Sequence, residues 1–288
     1  MYEEQPTKQV VETTQVQEKV AAITKEIAKF FNLSEERLEK ARQAKVMVTD
    51  KKTISALVAE GTVDDRLSSM SKARDVFLGT VSNKREHAAL SEVSQLPSRD
   101  TSAATLKEQL DRELVETMGV YVPELNTVFV CDEYLQTGTD GPLVQETLDR
   151  VLSHELLHVL SAHEQGGGVG QHFSRMPLNE AFTEILRLAQ KKNVRSVEVL
   201  LDILETGNEK YSYADWVKSL LKVLQYCNTK GADFSIDKLV NYYFADEEED
   251  PTIMGPLFIL DIRDHLDGKM LSTFRSIFDP PVRSTSAN

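Results

Sequence analysis

The sequence predicts a mainly α-helical α+β fold, and three observations carry that prediction. Long stretches repeat apolar residues at three- and four-residue intervals, the spacing of a helix that buries one face. One short region, "GVYVPELNTVFV" at residues 119 to 130, is instead rich in β-branched and aromatic residues on either side of a turn. Breakers are sparse, with only Pro6, Gly61, Gly79 and Pro97 in residues 1 to 115, so helices have room to run.

In chain order, residues 1 to 115 read as a helical N-terminal region whose opening stretch, roughly the first 15 residues, is expected to be disordered. Within "VAAITKEIAKFFNLSEERLEKA", Val20, Ile23, Ile27, Phe30 and Phe31 fall at helical spacing, and Asn32 or Ser34 caps the helix that follows. A scaffold role is the simplest reading of this region, with a prosegment or a substrate-recruiting module as alternatives. Residues 116 to 278 form the second part. It opens with a hairpin whose arms are Val120 to Val122 and Thr127 to Val130, joined by "PELN". A helix then starts near Pro142, after "QTGTDG". Leu143, Leu148, Val151, Leu152, Leu156, Leu157, Val159 and Leu160 make it apolar enough to be central.

The glycine-rich "QGGGVGQ", residues 165 to 171, ends that helix and permits a chain reversal. Pro177 sits where the first turn of a new helix tolerates a missing N–H. In "YSYADWVKSLLKVL", residues 211 to 224, Val217, Leu220, Leu221 and Leu224 form one apolar stripe. "SIDKLVNYYF" and "PLFILDIRDHL" can each bury a helix face, and "DEEEDP" between them reads as a solvated loop. Residues 279 to 288 read as a disordered tail.

Chemistry enters at "VLSHELLHVL", residues 151 to 160. Positions i and i+4 of a helix lie one above the other, so His154 and His158 can aim their imidazoles at a single point. Glu155 follows at about 100° of rotation, beside that point. Two neutral nitrogen ligands and a carboxylate near a metal-bound water are what a zinc hydrolase requires. The bland alternative is a buried helix whose histidines are satisfied by neighbours.

A catalytic zinc takes three protein ligands and keeps a position for water, so a third donor is needed. The histidine-rich route fails: His-x-x-Gly-x-x-His would need a glycine at Ser161 and a histidine at Glu164, and His163 is one residue early. A glutamate on the following helix is the other route, and Glu180 in "MPLNEAFTEILRLAQ" is well placed after the chain reversal.

His154, Glu155 and His158, together with "NEAFTE" at residues 179 to 184, resemble the gluzincin group of zinc metallopeptidases, the thermolysin-like enzymes and especially the minigluzincins. The likeness spans about residues 115 to 225. It implies a zincin-like arrangement in which a small sheet packs on an active-site helix and a glutamate helix. It also implies one catalytic Zn2+ held by His154, His158 and Glu180, and a carboxylate at Glu184, after Asn179, holding the first histidine from behind. Glu180 and Glu184 share a helix face, and a ligating imidazole usually donates its other N–H to such a partner.

The implied reaction is peptide-bond hydrolysis, with Glu155 taking a proton from the metal-bound water and passing it to the leaving amine. The developing oxyanion needs a donor. Gluzincins take it from a tyrosine or histidine on a later helix, which suggests Tyr213, with Tyr211 and His265 as alternatives. One arm of the hairpin would bind extended substrate by strand addition. An endopeptidase is expected, since no terminus-capturing motif such as Gly-x-Met-Glu-Asn occurs. A latent form, covered by one of its own terminal segments, fits the same residues. The competing class is a non-catalytic binding or scaffold protein that keeps a structural zinc site; Glu155 argues against it, because such a site has little use for a proton acceptor.

Composition narrows the setting. A net charge of −13 disfavours nucleic acid as a partner, and the partner that the resemblance implies is a peptide or protein substrate. No apolar run approaches the ~20 residues that span a bilayer, and "MYEEQPTKQV" has neither the basic start nor the apolar core of a signal peptide. Two cysteines, Cys131 and Cys227, suit unpaired thiols. The expected compartment is the cytoplasm, with leaderless export left open, and oligomeric state is not legible.

Overall fold

The computed structural model describes residues 13–54, 118–132, 142–161, 177–207, 213–244 and 251–278. The expectations for Tyr211, the glycine run, "QTGTDG", the acidic run at residues 246–250, both termini and the stretch between residues 55 and 115 lie outside the described residues. What is described is mainly helical with one small three-stranded sheet. The chain divides into two compact units, one from Met1–Ile54 and Met118–Val159, the other from Ser55–Thr117 and Leu160–Asn288.

The first unit begins with helix α1, Thr13–Phe31, which buries Val16, Val20, Ile27, Ala28 and Phe31 along the expected stripe. Asn32 and Ser34 divide the capping work. Asn32 takes the left-handed conformation (φ 55°) that ends α1, while the Ser34 side chain accepts from the Arg37 N–H to start α2, Glu35–Gln43.

A strand, β1 (Lys45–Thr49), follows where the sequence predicts helix. Three of its five residues, Val46, Val48 and Thr49, are β-branched, and it pairs in parallel with β3, Thr127–Cys131. The expected hairpin is present: β2, Gly119–Val122, runs antiparallel to β3 in the register Val120↔Phe129 and Val122↔Thr127. Its turn is a single 3-10 turn, Pro123–Leu125, closed by Asn126 at φ 42° and ψ 50°. Asparagine tolerates that left-handed geometry, and its side chain accepts a hydrogen bond from the Tyr121 hydroxyl at 3.2 Å.

The sheet order is β1-β3-β2, so β3 is central and all five of its residues are buried. Helix α3, Pro142–Ser161, starts at the predicted proline and buries Leu148, Val151, Leu152, Leu156, Leu157, Val159 and Leu160. An ion pair between Lys19 and Asp149 joins α1 to α3. Arg150 reaches the Met118 sulfur, tying α3 to the residue before β2.

The second unit is helical among its described residues: α4 (Pro177–Lys192), α5 (Val197–Thr206), α6 (Ala214–Thr229), α7 (Ile236–Phe244), α8 (Pro251–Arg263) and α9 (Gly268–Phe278). Helix α4 is buried nearly all round, including the polar side chains of Asn179, Thr183, Glu184 and Arg187. Helix α6 packs against α4, α5, α8 and α9, through the predicted stripe of Val217, Leu220, Leu221 and Leu224. Phe182, Phe234, Tyr242, Tyr243 and Phe258 form an aromatic cluster on α4, α7, α8 and the residue segment before α7. Edge-to-face pairs such as Phe182 with Phe258, 4.8 Å between centroids, add to what their buried area contributes.

Candidate metal centre

Helix α3 delivers His154, Glu155 and His158 from consecutive turns. His154 and Glu155 are 8% and 7% exposed, and His158 is half-buried. The two Nε2 atoms lie 3.2 Å apart, with the rings inclined at 73°. Two nitrogens held ~2.0–2.1 Å from one tetrahedral ion sit ~3.3 Å apart, so the spacing matches a shared metal. It also suits a single N–H···N hydrogen bond, and a third donor separates the two cases.

That donor is Glu180, half-buried in the first turn of α4. One ligand atom from each of His154, His158 and Glu180 lies within 4.8 Å of the others. Two imidazole nitrogens and a carboxylate oxygen can hold a divalent metal ion, and their borderline softness suits a first-row metal better than calcium or magnesium.

Around Glu180 the first turn of α4 is fixed by a buried relay. Thr183 Oγ1 donates to the Asn179 carbonyl at 2.8 Å. That uses the only proton of the threonine hydroxyl, so in its 2.6 Å contact with Tyr243 the tyrosine must be the donor. The Asn179 side chain itself is 2% exposed. Glu184, one turn beyond Glu180, receives the guanidinium of Arg187 through two bonds, from Nε at 2.8 Å and Nη2 at 2.9 Å. Both side chains are almost fully buried, and the fork leaves the carboxylate with further acceptor sites. Nothing in the sequence reading anticipated Arg187; an arginine three residues after an acidic residue on a buried helix was the available signal.

Tyr213 is the residue before α6, and its backbone is left-handed at φ 55° and ψ 31°. For a bulky side chain this is a strained conformation. Its ring stacks on Trp216 at 5.4 Å with an 8° tilt between planes. His265 lies just past α8, where its Nδ1 donates to the Asp261 carbonyl at 2.8 Å. This bond caps the helix end and fixes the ring's tautomer.

Of the two hairpin arms, β3 is paired on both sides and only β2 presents an outer edge among the described residues. Cys131 N–H donates to the Met118 carbonyl at 2.9 Å, which fixes the alternation of the antiparallel ladder. By that alternation the N–H and C=O groups of Gly119 and Tyr121 turn away from β3. Gly119 lies directly against α3: a Cβ there would stand 2.6 Å from Val151 Cγ1 and 3.3 Å from Glu155 Cγ. Sequence reasoning passed over this glycine because it stands at the edge of the hairpin pattern.

Burial pushes the Cys227 thiol up to about 11, which denies it the thiolate character of a nucleophile, and Cys131 is buried as well. Among the described residues no helix is long and apolar enough to cross a membrane. No family model, curated protein or solved structure matches the chain.

Proposed function

We propose that the chain is a zinc-dependent endopeptidase of gluzincin type. The observation that supports this reading best is the convergence of His154, His158 and Glu180 beside a buried carboxylate, Glu155. Zinc held by those three residues would lower the pKa of a bound water and polarise the scissile carbonyl. The zincin-like reading of the fold rests on the same residues, on β2 beside α3, and on the resemblance in "HELLH" and "NEAFTE".

Each residue then has a task. Glu155 accepts the proton of the attacking water and delivers it to the leaving amine, and its burial keeps competing solvent away. Glu184, braced by Arg187, orients the first histidine, and Asn179 and Thr183 set the turn that presents Glu180. Tyr213 donates to the carbonyl oxygen as negative charge develops there, with Tyr211 and His265 as the alternative donors. The edge of β2 pairs with an extended peptide, its Gly119 and Tyr121 backbone groups serving as partners.

A binding protein with a structural zinc would share the ligands but have no use for Glu155. Cleavage of an unstructured protein such as casein by wild type, against Glu155→Gln, tests the reading. Proteolysis lost on chelation and lost in Glu155→Gln supports it. Zinc binding without cleavage in the wild type contradicts it.

A further inference from the structure

We infer that Gly119 is a positioning residue for the Glu155 carboxylate, the missing side chain setting how close the edge strand comes to the helix that carries the base. The inference rests on the peptidase reading above. Its ground is the geometry of one contact. Gly119 opens β2, is buried, and pairs with Val130 of β3. An added Cβ would meet Val151 Cγ1 at 2.6 Å, the Phe129 carbonyl oxygen at 3.1 Å and Glu155 Cγ at 3.3 Å.

Backbone conformation does not account for the glycine. Among the described residues the glycine with a positive φ is Gly231, and Gly119 carries an ordinary strand geometry. What remains is clearance. Val151 and Glu155 are four residues apart on α3 and share the face that meets the strand. The three neighbours of the absent methyl differ in how they can yield. Val151 offers a side-chain methyl. The Phe129 oxygen belongs to the central strand and cannot retreat without disturbing the sheet. A methyl at residue 119 is therefore wedged between a fixed carbonyl and the turn of α3 that carries Glu155. Val151 must shift, the side chain of Glu155 gives by a few tenths of an ångström, and a general base so displaced loses alignment with the proton it takes.

A packing role and a positioning role separate in a double variant. Gly119→Ala alone is expected to lower both thermal stability and kcat. In Gly119→Ala/Val151→Ala the shortest contact is gone, so most of the lost thermal stability should return, short of what the 3.1 Å contact with the Phe129 oxygen costs. The methyl beside Glu155 is still there, so kcat should stay several-fold below Val151→Ala, with KM and zinc content little changed. Recovery of kcat together with stability would make Gly119 a packing residue only and overturn the inference, while leaving the peptidase reading intact. A double variant that does not fold also overturns it, because contacts of 3.1 and 3.3 Å need shifts of only a few tenths of an ångström. A wild type that binds zinc and cleaves nothing removes the peptidase reading, and the inference with it.

Discussion

His154 and His158 bring their Nε2 atoms to 3.2 Å from each other, on a helix that otherwise buries Leu148, Val151, Leu152, Leu156, Leu157, Val159 and Leu160. Two neutral imidazoles cannot both aim lone pairs at that spacing without repulsion, unless a cation lies between them or one carries a shared proton. Metal should therefore stabilise the fold. Free zinc at 100 times its dissociation constant is expected to raise the unfolding free energy by about 2.7 kcal/mol, read from urea melts with and without the ion. Coincident melts would argue for a simple hydrogen bond.

Tyr213 carries two separable burdens, a strained backbone and a phenol. Left-handed geometry costs a bulky L-residue roughly 1–2 kcal/mol, and glycine adopts it freely. Tyr213→Gly should recover part of that cost in thermal unfolding, less what the Trp216 stacking contributes. Tyr213→Phe keeps the strain and the stacking but removes the hydroxyl. It should slow turnover about 10²-fold with zinc retained, as loss of an oxyanion donor does. Turnover equal to wild type would take Tyr213 out of the mechanism.

Arg187 and Glu184 form a buried pair whose halves should not be removed singly. Arg187→Leu leaves a carboxylate uncompensated in the interior and is expected to cost about 3–5 kcal/mol of stability. Glu184→Leu/Arg187→Leu removes both charges and should restore most of it. Zinc affinity in the double variant should nevertheless fall 10- to 100-fold if Glu184 has the proposed task of orienting the first histidine. Wild-type zinc affinity in that folded double variant would show Glu184 to be structural only.

Away from the centre, Glu198 offers a test of how α5 and α6 are held. Burial favours its protonated form, but hydrogen bonds from Asn228 Nδ2 at 2.6 Å and Ser196 Oγ at 2.7 Å outweigh it, and the net shift is downward. A lowered folded-state value means stability that is present above the unfolded-state pKa of about 4.3 and lost as pH falls through the folded one. Glu198→Gln should therefore be less stable than wild type at pH 7, with the difference shrinking towards pH 3 in urea melts. A constant difference across that range would remove the charged form from the account.

The parts of this architecture that were legible are those written in local periodicity. The stripe of Val217, Leu220, Leu221 and Leu224, the start of α3 at Pro142 and the hairpin around "PELN" each need only a few neighbouring residues to declare themselves. The pairing of His154 with His158 is equally local, being one helical turn. Strand β1 was not legible, because five residues between two helical stretches owe their conformation to a parallel partner about 80 residues away. Arg187 and Gly119 were missed for a related reason: their meaning lies in what they touch, a buried carboxylate in one case and the side of α3 in the other. The strain at Tyr213 has no sequence signal, since tyrosine is a residue that the left-handed region disfavours.

The measurement that bears most directly on the account is the metal content of the purified protein, by mass spectrometry, for wild type and Glu180→Ala side by side. The account predicts close to one zinc per chain in the wild type and a large loss in Glu180→Ala, with both folded by circular dichroism. A wild type that binds no zinc when supplied with it, or a Glu180→Ala variant that binds it as tightly, would contradict the claim that His154, His158 and Glu180 share one ion.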